Sequence, residues 1–134
     1  MDKIDLTSFK GLYLKTAREY IDKIDASIEV LLKQPENPDA IMNIYISAHS
    51  LGSQSTLTGY KNVESVCRVI EDLFKKIKEG KAKGGTGRRL PKVSQELLSA
   101  LNRSLTSLTN CVDSIEKENS EVDLSSIKNQ LEKM

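Results

Sequence analysis

Asn37 to Gly59 reads NPDAIMNIYISAHSLGSQSTLTG, and its punctuation marks out one helix from end to end. Asn37 is a good N-cap, Pro38 suits the first helical position, and Gly59 ends the pattern. Between them Ile41, Tyr45, Ala48 and Ser55, with Leu51 and Gly52 between, keep to one buried face. His49 is the one histidine of the chain and follows Ala48 directly, so it stands about 100° around the helix from the core centre, at the border with solvent. Gly52, Ser53 and Thr56 share its side, so the imidazole overlooks a strip of small side chains that lets another protein come close.

The segments on either side read as helices too. Phe9, Tyr13, Ala17, Tyr20, Ile24, Ile28 and Leu31 form one stripe on a long first helix that Pro35 closes. A turn of a few residues after Gly59 leads to a third helix, expected to be capped by Asn62, with Val63, Val66, Ile70, Leu73 or Phe74, and Ile77 inward and Gly80 at its end. The short turn makes helices two and three antiparallel neighbours. Gly80 to Arg89 is glycine-rich and basic without an apolar anchor, which predicts an exposed flexible loop. It lacks the preceding strand and the Gly-Lys-Ser/Thr run of a phosphate-binding loop. Pro91 is expected to open a fourth helix, with Leu97, Leu101, Leu105, Leu108, Val112 and Ile115 on its stripe. Leu124, Ile127, Leu131 and Met134 repeat a weaker stripe. The expected fold is therefore all-α: an antiparallel up-and-down four-helix bundle over residues 1–118, with a short fifth helix or linker over 119–134.

Composition excludes several classes of function. Lys plus Arg number 20 against 19 acidic residues, a net charge of +1, so no global field draws the chain to nucleic acid. Aromatic residues are 4% with no Trp, too few for base-stacking platforms. No apolar run is long enough to span a membrane and Met1–Asp5 does not open like a signal peptide, so a cytoplasmic protein is expected. Cys67 and Cys111 lie alone on apolar stripes as reduced core thiols, and no cluster has metal-ligand spacing.

His49-Ser50-Leu51, Gly59-Tyr60 and Glu71-Asp72-Leu73-Phe74, set on such a bundle, resemble the histidine phosphotransfer (HPt) family, and more closely its branch at the amino terminus of CheA-type chemotaxis histidine kinases. The resemblance covers roughly residues 9 to 118. In that branch the phosphorylated histidine is followed by Ser or Thr, an aliphatic residue, Lys and Gly, then small residues up to a Gly and an aromatic. His49, Ser50, Leu51, Ser55, Gly59 and Tyr60 match in place, and the glutamate that bonds the active histidine falls, 22 positions on, at Glu71. Gly52 and Ser53 depart from the pattern, standing where the branch has its lysine and glycine.

The resemblance implies a phosphocarrier of two-component signalling, in which His49 takes a phosphoryl group from the ATP-binding domain of a histidine kinase and passes it to an Asp of a response-regulator receiver domain. ATP and Mg²⁺ would come from those partners, since the chain has no nucleotide motif of its own. Glu71 would fix the tautomer of His49 and leave Nε2 as the nucleophile. Arg68, one turn from Glu71, is a candidate replacement for the missing cation, with a pairing to Glu64 or Asp72 as the competing reading. Ser50, Gly52, Ser53 and Thr56 would form the receiver-docking strip. The alternative expectation is an HPt-like docking or adaptor module that is not phosphorylated.

Overall fold

A computed structural model describes residues 6–80 and 92–134, with side chains from residue 9 onward. Its helices are α1 (Leu6–Lys33), α2 (Pro38–Thr58), α3 (Lys61–Lys78), α4 (Gln95–Glu118) and α5 (Ser125–Glu132). No strand occurs among the described residues. The first four form the expected up-and-down bundle, and α5 is the short fifth helix. Met1–Asp5, the glycine-rich basic stretch from Lys81 that is expected to form an exposed loop, and the residue Pro91 lie outside the described residues.

Local chemistry sets both ends of α2. The Asn37 side chain accepts from the Ala40 N–H at 2.9 Å with Pro38 at the first position, and Gly59 stops α2 in the left-handed conformation at φ 86°. Two expected boundaries and one expected stripe position differ. Asn62 does not cap α3, because the turn is so tight that the helix is already under way at Lys61. The cap arrives from far along the chain: Glu121 accepts from the Asn62 and Val63 N–H groups at 2.9 Å each, while the Asn62 amide donates to the Val122 carbonyl. Helix α4 begins at Gln95 rather than at the proline, because the Ser94 hydroxyl accepts from the Leu97 N–H. The buried Val93 precedes it and donates its N–H to the Pro35 carbonyl, tying the entry to α4 to the α1–α2 turn. Phe9 is 54% exposed. Tyr13 already meets Ser55 and Tyr60 at the end of α2, so a residue one turn earlier on α1 runs past its neighbour.

The stripes converge on one core, with Ile24, Ile28, Leu31, Ile41, Ile44, Leu51, Ile70, Phe74, Leu101, Leu108 and Ile115 all fully buried. Helix α2 lies between α1 and α3, and α1 also packs on α4. The α3–α4 seam is thin, and α5 packs against both of its helices with Leu131 fully buried. Cys67 and Cys111 are free thiols inside this core. No helix among the described residues is long and apolar enough to cross a membrane.

Candidate functional site

The α2–α3 hairpin brings the site residues together through its symmetry about Tyr60. In an antiparallel pair, positions equally far from the turn face each other, and three such pairs lie on one seam. His49 and Glu71 stand eleven residues either side of Tyr60, Gly52 and Arg68 eight, Thr56 and Glu64 four. Each pair meets. The His49 Nδ1 lies 2.8 Å from Glu71 Oε2, the Arg68 guanidinium covers Gly52, and the Thr56 hydroxyl lies 2.6 Å from Glu64 Oε2.

The register of that hairpin is held from α1. The Tyr13 hydroxyl and Ser55 Oγ share a buried hydrogen bond of 2.7 Å, and the Tyr13 ring packs on Tyr60 with centroids 4.8 Å apart. The Tyr60 N–H also donates to the Ser55 carbonyl. Ser55, Gly59 and Tyr60, three of the positions that carry the family resemblance, thus build the turn that sets His49 opposite Glu71.

At the centre, the Glu71 carboxylate is used on both oxygens. Oε2 accepts from His49 Nδ1 and Oε1 accepts from Arg68 Nη1 at 2.9 Å. Burial pushes the Glu71 carboxyl up, but the hydrogen bonds from His49 and Arg68 outweigh it and hold the group below the usual glutamate range. A carboxylate that stays ionised accepts, so the hydrogen of the neutral imidazole sits on Nδ1 and the lone pair on Nε2. The His49 side chain is 55% exposed and Glu71 only 16%, so the ring is anchored at its inner nitrogen and open at its outer one. That is the requirement for a nucleophile serving a partner that docks from outside.

Arg68 does not pair with Asp72 as its own helix allowed. It bonds Glu71, approaches Glu64 at 4.0 Å and reaches the Thr56 hydroxyl at 3.4 Å. This alters the expected docking strip. Gly52 is buried beneath the guanidinium rather than open to a partner, whereas Ser50 and Ser53 are partly exposed and Thr56, with its hydroxyl bonded to Glu64, is exposed. Two contacts escaped the sequence reading. The Tyr45 ring lies alongside the imidazole with centroids 6.5 Å apart, and Lys78 sits over Tyr45 at 5.0 Å. Spacing of four on α2 carried the signal for Tyr45, while Lys78 had none. Among the described residues no group of His, Cys, Asp or Glu is placed to hold a metal ion.

No family model matches the chain. It is 28% identical over 83 residues to the chemotaxis protein CheA of Borreliella burgdorferi. That match takes in 60% of this chain and spans a tenth of that protein's length (10%). Its structure superposes on the phosphorylated P1 domain of CheA3, solved in complex with CheY6 from R. sphaeroides, with a TM-score of 0.78 over 94% of both chains at 17% identity. The chain has the CheA P1 fold. The helical bundle expected from the sequence is therefore the bundle observed.

Proposed function

We propose that this P1-like bundle is a phosphocarrier with His49 as its phosphoacceptor. One observation carries the reading: the imidazole is fixed through Nδ1 on a carboxylate 2.8 Å away while its side chain stays 55% exposed. The Nε2 lone pair attacks the γ-phosphorus of ATP held by a kinase domain, a P–N bond forms and the P–O bond to ADP breaks. An Asp carboxylate of a receiver domain then attacks the same phosphorus, and the P–N electron pair returns to Nε2. Mg²⁺ comes with the partner domains, and Ser50 and Ser53 flank the approach to the ring. The structural neighbour is a P1 domain in complex with CheY6, which supports a receiver as the second partner. A cytoplasmic setting follows from such partners.

Incubation with a histidine kinase domain and labelled ATP tests the reading. The expected label is acid-labile, alkali-stable, absent from His49→Gln, and transferable to a receiver domain. Persistent absence of label on the wild type would instead establish the docking-module reading, which the replacement of the motif lysine by Gly52 favours.

A further inference from the structure

A phosphoryl group on Nε2 brings close to two negative charges beside the Glu71 carboxylate, so the phosphorylated site needs a cation. Two cations contact neighbours of His49: Arg68 is joined to it through the two oxygens of one carboxylate, and Lys78 sits over the Tyr45 ring. Only Arg68 lies across the helix seam on the small-residue strip. It gets there because position 52 has no side chain. A Cβ built on Gly52 falls 3.1 Å from Nη1 and 3.3 Å from Cζ of Arg68, and 3.3 Å from Cβ of Cys67. Cys67 is fully buried, so the few tenths of an ångström that a side chain at 52 requires come chiefly from the flexible guanidinium. Gly52 lies in the interior of α2, where glycine is the least favourable residue after proline, so helix formation gives no reason for it.

We propose that Gly52 and Arg68 act as one unit, in which glycine on α2 admits an arginine from α3 that positions Glu71 and supplies the positive charge for phosphorylated His49. A side chain at 52 leans back toward the helix N-terminus, and so toward His49. A lysine there and an arginine at 68 thus compete for the same space, and each can stand in for the other. This unit rests on the phosphocarrier reading and gives its site a source of charge that its sequence motif lacks.

Phosphoramidate tests the unit without any partner: the P–N bond to the donor breaks, ammonia leaves and the phosphorus is taken by Nε2. Formation of phosphohistidine is followed by ³¹P NMR, with thermal unfolding as the folding control. Arg68→Ala is expected to slow formation about 10- to 100-fold, on the scale of losing a group that supports the reacting one. Gly52→Ala is expected to slow the reaction several-fold while thermal stability stays near that of wild type, because the helix propensity gained is offset by the tight contacts with Cys67 and Arg68, a split that a purely structural glycine does not produce. In the double variant Gly52→Ala adds nothing to Arg68→Ala, and Gly52→Lys with Arg68→Ala recovers most of the rate. The ¹⁵N shifts of unphosphorylated Arg68→Ala separate the two duties: retention of the Nδ1–H form means that the lost rate reports charge, and its loss means that it reports positioning of Glu71. Phosphorylated wild type with an equally fast Arg68→Ala overturns the unit alone, as does a loss confined to Lys78→Ala. A folded wild type that takes no phosphoryl group from phosphoramidate or a kinase overturns the phosphocarrier reading and the unit with it.

Discussion

Glu71 is the residue on which the chemistry of the site turns, because its two oxygens serve two different groups. Glu71→Ala removes the acceptor that holds hydrogen on Nδ1. Phosphorylation of His49 should then fall about 10- to 100-fold while the far-ultraviolet circular dichroism stays that of wild type, as measured by single-turnover labelling. The same carboxylate makes the fold respond to acid. Its pKa in the folded state is below the unfolded value of about 4.3, so its contribution is fully present above that value and drains away as pH falls through the lower folded value. Denaturant titrations should show wild type and Glu71→Gln differing at pH 7 and drawing together below about pH 4. A gap that stays constant down to pH 3 would mean that the carboxylate is not held in ionised form. Cys67, beneath Gly52, has its thiol pushed up to about 12 by burial, which fits an inert wall against which Gly52 and Arg68 pack.

At the scale of elements, the α2–α3 hairpin is what turns a sequence separation into a contact. His49, Gly52 and Thr56 step by three and four along α2, and Glu64, Arg68 and Glu71 step by four and three along α3. Two helices can mesh such rows only if the turn keeps its length and conformation. Gly59 at φ 86° is the hinge of that turn. Its Cβ would meet nothing within 4 Å, so Gly59→Ala carries a purely conformational cost of about 1–2 kcal/mol. A lower midpoint of chemical denaturation with an unchanged slope is the expected signature, and phosphorylation should slow as well if the strain is relieved by a shift of α3 along α2. A Gly59→Asn variant, better suited to the left-handed region, should lose less. This seam was partly legible in advance. The 22-residue interval pointed to Glu71, and reflection about the turn adds the other two pairs. The contest between Glu71, Glu64 and Asp72 for Arg68 was not legible, because all three lie within reach along one helix and packing against α2 chose among them.

In the whole molecule, the segment after α4 completes the bundle. Glu121 caps α3 across 59 and 58 residues of sequence, at Asn62 and Val63, and α5 closes the thin seam between α3 and α4. Leu131 is fully buried, so Leu131→Ala should cost about 2–5 kcal/mol in equilibrium unfolding, an effect out of proportion to an eight-residue helix that merely trailed from the domain. Glu121→Ala should cost about 1 kcal/mol through the lost cap. Arg18, paired with Asp113 at 3.0 Å and Glu116 at 2.7 Å, ties α1 to α4 on the exposed side, where ion pairs contribute little. The helices, their inward stripes, the Asn37–Pro38 start and the exposed place of His49 all follow from periodicity and capping chemistry, which act within a few residues and are written in their order along the chain. The Glu121 cap, the burial of Gly52 beneath Arg68 and the division of Glu71 between an imidazole and a guanidinium arise between segments far apart in sequence. Their partners are chosen by the geometry of packed helices, and no local rule contains that geometry.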